Sequence, residues 1–318
     1  MKIAVLEDYQ RAVPALAAFS RLAAHEVEVF TDNVRDEARL AERLSGFDAV
    51  VLIRERTRIT ASLLARVPRL KLVAQTGKVG PHIDLAACRA RGIAVCDSGG
   101  SPTPTAELAW GLMLAGARNL FSESERLRKG EWQGSVGFAL AGKRLGLLGF
   151  GRIAQRMARY AAAFEMQVSV WGRESTLARA REAGLRAVVS MPEIFAESDV
   201  ISVQLRLNGD TRGIVRYEHL AAMGRDSLFV NTSRAELIEP GALERALRAG
   251  RPGKAALDVF EDEPLLGRAP SLLELPNAIG TPHIGFVERA NYERYFGDAF
   301  DAVNAFAAGK PIRLVGEG

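Results

Sequence analysis

The chain has 318 residues, enough for two domains of ordinary size. Apolar residues make up 48% and charged residues 25%, a globular balance that excludes a disordered or fibrous chain. The formal net charge is only +4 and Lys and Arg are spread along the chain, which argues against a nucleic-acid partner and suits an anionic small molecule.

Short β-branched or apolar runs alternate with amphipathic stretches along most of the sequence. The first, Lys2–Leu6, lies in MKIAVLEDYQ, which lacks the apolar stretch and cleavage site of a secretory signal. Val27–Phe30, Ala49–Ile53, Leu70–Ala74 and Ile93–Cys96 follow, with helical patterns at Ala38–Leu44 and Ala61–Arg66. Strands alternating with helices must cross over, which implies a parallel sheet covered on both faces. Cys88 and Cys96 do not have the spacing of zinc ligands, so we expect buried free thiols and no metal.

Asp97-Ser98-Gly99-Gly100-Ser101-Pro102-Thr103-Pro104 breaks the periodicity and reads as a loop or interdomain crossing. A helix is predicted over Thr105–Leu120, with Glu107 in its first turn. Being apolar almost all round, it suits burial within a domain or against another subunit. From Arg144 the alternation resumes at Leu145–Leu148, Val168–Trp171, Val188–Val189, Val200–Leu205, Leu228–Asn231, Ala255–Asp258 and Ala278–Ile279, and a last helix covers Arg289–Ala308. No apolar run approaches the ~18 residues of a membrane span. The expectation is an α/β protein, soluble and cytoplasmic, with no membrane partner. Its two doubly wound parallel-sheet domains are residues 1–100 with 288–318, and an inserted domain over 101–287.

Leu145-Gly146-Leu147-Leu148-Gly149-Phe150-Gly151-Arg152-Ile153-Ala154 reads as a strand, a tight turn and a helix start. Gly149 permits the turn, Gly151 lets the backbone approach a pyrophosphate, and Ala154 allows close helix–strand packing. Free N–H groups at the helix start would meet the anion. A dinucleotide cofactor is expected here. The following strand ends in Trp171-Gly172-Arg173-Glu174, where an NAD site usually carries a carboxylate for the ribose 2′-hydroxyl. With Gly172 in that place and Arg173 after it, NADP is favoured over NAD, because a guanidinium can bind a 2′-phosphate. The alternative leaves Arg173 in solvent and gives the acidic task to Glu174.

With Asn231-Thr232-Ser233-Arg234, Ala256-Leu257-Asp258-Val259-Phe260-Glu261-Asp262-Glu263-Pro264 and Thr281-Pro282-His283-Ile284-Gly285, the chain resembles the D-isomer-specific 2-hydroxyacid dehydrogenases through nearly its whole length. The resemblance implies a Rossmann cofactor domain inserted into a flavodoxin-like substrate domain, an active cleft between them, and a homodimer. It makes Arg234 the anchor of the substrate carboxylate, His283 the proton donor and Glu263 the partner of that histidine. Chemistry supports each role. An Arg fork binds a 2-oxoacid carboxylate, histidine protonates the carbonyl oxygen as hydride arrives at C2, and a carboxylate orients the imidazole and favours its charged form. By the same resemblance Asp258 holds the nicotinamide carboxamide, and Thr105, Arg152, Ile153, Thr211, Thr232 and Gly285 join Gly149 and Gly151 on the cofactor side. Singly, Arg234 could cap a turn, the acids could be surface groups, and His283 could be structural.

Gly77-Lys78-Val79-Gly80-Pro81-His82 matches the family's substrate-binding loop, with the backbone near Lys78 and Val79 meeting the carboxylate. It departs from the pattern at Lys78, where a small apolar residue is usual, and at Pro81-His82, which replace a typical Asp-Asn pair. Gln204-Leu205-Arg206 replaces the family's usual His-x-Pro, and Arg206 either adds charge near a 2′-phosphate or sits in solvent. Arg54, Arg56 and Lys78 either favour a second anionic group on the substrate or form a salt-bridged loop. The leading expectation is a reductase of a small 2-oxoacid such as glyoxylate or hydroxypyruvate. A phosphoglycerate dehydrogenase-type enzyme is one alternative, though the chain leaves no room for a separate regulatory domain. A nicotinamide-sensing protein similar to the family's corepressors is another, disfavoured by the lack of long disordered tails.

Overall fold

The computed structural model describes residues 1–316. The chain forms two compact units: Met1–Ser101 with the chain from Val287 onward, and Pro102–Phe286. Among the described residues each unit is built on one parallel sheet.

In the first unit the strands are β1 (Lys2–Val5), β2 (Glu26–Val29), β3 (Ala49–Ile53), β4 (Leu72–Thr76) and β5 (Ala94–Asp97), in the order β2-β1-β3-β4-β5. β3 and β4 are buried at every position, as strands covered on both faces should be; β3 is apolar throughout, and β4 ends in the buried polar pair Gln75 and Thr76. Helices α1 (Glu37–Leu44), α2 (Ala61–Arg66) and α3 (Leu85–Ala90) start where Asp36, Thr60 and Asp84 accept the backbone N–H of Arg39, Leu63 and Ala87. Such caps satisfy a donor that the helix cannot, each worth about 1 kcal/mol. The closing helix, Arg289–Ala307, begins at a Glu288 cap and buries Phe296, Ala299, Phe300 and Val303 in this unit. Phe300 meets Phe19 edge-on at 6.2 Å.

The second unit contains β6 (Arg144–Leu148), β7 (Gln167–Trp171), β8 (Arg186–Val188), β9 (Val200–Val203), β10 (Leu228–Asn231), β11 (Lys254–Leu257) and β12 (Ala278–Gly280). Their order is β12-β11-β10-β9-β6-β7-β8, so the winding reverses between β6 and β9. All pairs in both sheets are parallel. The helices are α4 (Thr103–Arg118), α5 (Leu120–Arg128), α6 (Arg152–Ala163), α7 (Glu174–Glu182), α8 (Met191–Glu197), α9 (Tyr217–Ala222) and α10 (Ala242–Arg248). The two doubly wound parallel-sheet domains agree with the expected fold class. Each observed strand begins and ends within two residues of its predicted run.

The apolar helix differs from its expectation at both ends. α4 starts at Thr103, with Pro104 in the first turn, where the missing N–H costs nothing. The predicted loop therefore ends two residues early, and Glu107 lies beyond the first turn. At the other end Asn119 takes a left-handed conformation (φ 54°), which ends α4, and α5 begins at the next residue. Lys254 fixes this joint: its Nζ donates to the Gly116 carbonyl (3.3 Å) and to Asn119 Oδ1 (2.6 Å). Burial lowers the pKa of that ammonium. Inside the unit, α4 buries Ala106, Ala109, Trp110, Leu112, Met113 and Ala117 in the core, and Gly116 leaves room for Leu228.

Among the described residues no helix is long and apolar enough to cross a membrane, and no cluster of His, Cys, Asp and Glu could hold a metal ion. Cys88 in α3 and Cys96 in β5 are buried and unpaired. Burial pushes both thiols up to about 11. Thiolate is the reactive form, so both should resist a disulfide reagent near neutral pH in the native protein and react once it is unfolded in denaturant. Rapid labelling of the folded chain would contradict this burial.

Candidate active site

The seven-stranded sheet delivers the candidate side chains through the loops that leave its carboxyl edge. At the end of β6, Gly149 has φ +96°, which only glycine adopts freely, and its N–H donates to the Trp171 carbonyl at 2.7 Å. A β-carbon there would lie 2.8 Å from the Gln204 carbonyl oxygen. Gly151 differs: its backbone is extended (φ −81°, ψ −173°), and a β-carbon would stand in open space. Behind it, α6 presents the amides of Arg152, Ile153 and Ala154, which helix geometry leaves without intrahelical acceptors. Ala154 is buried against the strand. An open cradle before an N-terminal turn of free amides fits the pyrophosphate of a dinucleotide.

At the end of β7, Gly172 lies against Thr176, whose Cγ2 would be 2.7 Å from an added β-carbon. Close packing against the Thr176 side chain is therefore one reason for a glycine at this position. Arg173 caps α7 and is exposed. Glu174 is held by Arg181 at 2.7 Å. After β9, Arg206 is exposed, and its carbonyl accepts the Thr211 hydroxyl at 2.7 Å within one turn. Thr232 is buried, with Oγ1 accepting from Gln204 Nε2 at 3.4 Å.

After β10 the chain turns under the control of Asn231. Its Oδ1 accepts the Ser233 N–H at 3.0 Å, and its Nδ2 donates to the Arg234 carbonyl at 2.9 Å. Ser233 Oγ donates to the Leu205 carbonyl at 2.6 Å. These bonds fix the backbone that carries Arg234, whose Nη1 donates to the Ser233 carbonyl at 2.6 Å. The local signal for this turn is an Asn at a strand end, whose side chain takes the backbone N–H two residues on.

Next in the sheet, β11 leads to Asp258 and β12 to His283. His283 Nδ1 and Glu263 Oε2 are 2.5 Å apart, and both side chains are partly exposed. Glu263 Oε1 accepts the Phe260 N–H at 2.8 Å, so the carboxylate is clamped at both oxygens. Phe286 packs edge-on to the imidazole at 5.8 Å. His283 itself has φ +51°, a left-handed conformation costing roughly 1–2 kcal/mol for a residue with a β-carbon. Asp258 is fully buried. Its Oδ1 accepts from Thr281 Oγ1 (2.6 Å) and the Ile284 N–H (2.8 Å), and its Oδ2 from the Gly285 N–H (2.8 Å). Burial raises the Asp258 pKa, against the opposing pull of the Thr281, Ile284 and Gly285 hydrogen bonds and the nearby His283. Thr105, in the first turns of α4, donates to the Gly285 carbonyl at 2.9 Å. Thus Arg234, Asp258 and His283 follow three adjacent strands, while Glu263 reaches the histidine from the loop after β11.

The remaining residues expected at a substrate belong to the first unit. Arg54 has φ +55° and lies over the Tyr295 ring, 5.6 Å from its centroid. A β-carbon on Gly77 would sit 1.7 Å from Arg54 Nη1, so that glycine gives the guanidinium its place. Arg56 donates to the Glu7 carbonyl at 2.7 Å and covers the Tyr9 ring. Lys78 pairs with Asp97 at 2.8 Å. Val79 is partly buried against the core of the unit. His82 is buried, and its Nε2 meets Gln75 Oε1 at 3.2 Å while Gln75 Nε2 donates to the Arg54 carbonyl, which ties the two loops together.

Comparison with known proteins gives the family of the chain. The family model described as "D-isomer specific 2-hydroxyacid dehydrogenase, NAD binding domain" matches residues 110–285. The glyoxylate reductase of Aeropyrum pernix is 36% identical over 269 residues, covering 81% of this chain and 80% of that protein. The D-3-phosphoglycerate dehydrogenase of Methanocaldococcus jannaschii is also 36% identical, over 263 residues and 82% of this chain, but the chain spans only 49% of that longer protein. A crystal structure of a phosphoglycerate oxidoreductase from Vibrio cholerae superposes with a TM-score of 0.94 at 50% identity, covering 97% of this chain and 99% of that one. The glycine turn, the arginine after β10 and the histidine–glutamate pair are thus carried by a chain that belongs to the D-isomer specific 2-hydroxyacid dehydrogenase family.

Proposed function

We propose that the protein reduces a small 2-oxoacid, such as glyoxylate or hydroxypyruvate, to the D-2-hydroxyacid, with NADPH preferred over NADH. The observation that carries this reading is the 2.5 Å contact of His283 Nδ1 with a carboxylate that is itself clamped by a backbone amide. With Nδ1 engaged, Nε2 is the nitrogen left to give a proton. Glu263 fixes the ring's orientation and balances the charge of the protonated imidazole. When bound, the nicotinamide supplies the hydride that adds to C2 of the oxoacid. His283 Nε2 gives its proton to the carbonyl oxygen as the C–O bond loses its double character, and Arg234 holds the carboxylate and polarises the ketone. The product is the alcohol, and the histidine is reprotonated from solvent. Gly149, Gly151, Arg152 and Ile153 would receive the pyrophosphate, with Thr105, Thr211, Thr232 and Gly285 along the rest of the cofactor, whereas Asp258 is fully buried and both its oxygens are taken by Thr281, Ile284 and Gly285.

Preference for NADPH is supported by Gly172, which carries no carboxylate, by Glu174, which is tied to Arg181, and by Arg173 exposed at the strand end. Arg206 is assigned to the same phosphate. On the substrate side the reading keeps Arg54, Lys78 and Val79. A small, neutral-tailed acid is favoured over a dianion because Arg56 is engaged by Glu7 and Tyr9, and Lys78 by Asp97. The homodimer implied by the family is supported by α5 and the segment after it. Leu120, Phe121, Leu127, Trp132 and Val136 are exposed there, an apolar surface of the kind that subunits cover.

Steady-state rates with glyoxylate, hydroxypyruvate, oxaloacetate and phosphohydroxypyruvate, each with NADPH and NADH, test the reading. The highest kcat/KM is expected for one of the first two acids with NADPH. A maximum for phosphohydroxypyruvate would instead assign Arg54 to a second anion, and binding of cofactor with no turnover on any acid would make the protein a nicotinamide sensor. His283→Ala should lower turnover roughly a hundredfold to ten-thousandfold while NADPH still binds. Arg173→Ala should cost roughly tenfold in kcat/KM for NADPH and little for NADH. In light scattering the native protein should have twice the 34.4 kDa chain mass, falling to one chain in Leu127→Glu/Trp132→Glu; a single-chain mass for the native protein would refute the dimer.

A further inference from the structure

The geometry points to Asp258 as the positioning residue for His283, acting through the backbone of the turn that carries the imidazole. The inference deepens the proposed function and rests on its reading of His283 as the proton donor. The observation is the way one buried carboxylate brackets that histidine. Before it in sequence, Thr281 donates its hydroxyl to Oδ1; after it, the amides of Ile284 and Gly285 donate to Oδ1 and Oδ2. His283 sits between these anchors with φ +51°, and a residue with a β-carbon stays there only when its surroundings over-determine it. The His283 N–H is also taken, by the Thr281 carbonyl at 2.9 Å, so the turn closes on itself above the carboxylate.

Two further contacts make the anchor rigid. Asp258 is 0% exposed and its own N–H is bound to the Asn231 carbonyl, the last residue of the neighbouring strand. The Gly285 carbonyl accepts from Thr105, so the peptide after the turn is held on both sides. A β-carbon at Gly285 would come within 3.0 Å of Asp258 Oδ2, which leaves no slack between the carboxylate and the turn. Glu263 therefore sets the direction of the imidazole ring, and Asp258 sets the position of the backbone from which the ring projects. A direct contact of Asp258 with the nicotinamide is a different role, and it has a different signature.

The test is a double-mutant cycle of Asp258→Asn with His283→Ala, read as kcat and as the Kd for NADPH from fluorescence. Asp258→Asn keeps the shape but loses the charge and one acceptor. It should lower kcat roughly tenfold to hundredfold in the native background, leave the Kd for NADPH within about twofold, and cost no further turnover when His283 is already alanine. Thr281→Val, which removes one donor and leaves the carboxylate, should show the same pattern more weakly and serves if Asp258→Asn fails to fold. An equal loss in both backgrounds, or a raised Kd, would overturn the inference in favour of a cofactor contact. Amide exchange at Ile284 and Gly285 provides a readout independent of turnover. It should accelerate in either variant, and unchanged exchange would also overturn the anchor. Near-native turnover of His283→Ala alone would strike the proposed proton donor instead, with the exchange measurement still judging the anchor.

Discussion

Parallel pairing is the constraint on which everything else depends. It sends the carboxyl end of every strand in the second unit to one edge, so the loops after β6, β9, β10, β11 and β12 all emerge together. Residues far apart in sequence, Gly149, Gln204, Arg234, Asp258 and His283, become neighbours in strand order without any of them choosing the others. The winding reverses between β6 and β9, and the helix that follows β6 turns its amides toward that edge. The sheet thus supplies the direction, and the loops supply the chemistry.

What keeps those loops from wandering is a recurring local device. A polar side chain at the end of a strand recaptures the backbone amides that the strand has just released. Asn231 does this for the arginine turn, with both ends of its amide, and Asp258 for the histidine turn, with both carboxylate oxygens. Gly77 and Ser98 do it across the first unit, where the Ser98 hydroxyl accepts the Gly77 N–H. Each such bond adds little net stability, but leaving a buried amide without one costs more, so the loop has few alternatives. Preorganisation of this kind would let the proposed proton donor and carboxylate anchor act without first being assembled.

The sheets were legible because buried parallel strands read as apolar runs and the helices between them carry caps. The turn at Gly149 was legible because its positive φ suits glycine, and the contact of Glu263 with His283 because the motifs that carry the resemblance pair those two residues. Less was visible where tertiary contacts decide. The break after α4 depends on Lys254, more than a hundred residues on, neutralising the helix end, and α5 buries too little to betray itself by periodicity. The positions of Arg56 and Lys78 likewise turn on Glu7, Tyr9 and Asp97, which no local pattern links to them. Asp258 is the sharpest case. A short acid in an acid-rich stretch looks exposed on the page, yet it is the most enclosed polar group of the site.

The two glycines of the turn after β6 look equivalent in sequence but are constrained for different reasons. Gly149 is needed by the polypeptide itself, through its positive φ and the carbonyl pressed against it. Gly151 has a backbone any residue can adopt and empty space where its side chain would be. A library randomised at both positions would therefore separate them by the selection applied. A screen for folded, soluble protein would reject most replacements at Gly149 and accept them at Gly151. A screen for cofactor-dependent growth would reject both, and the gap between the two outcomes at Gly151 would measure how much of that glycine is owed to the ligand alone.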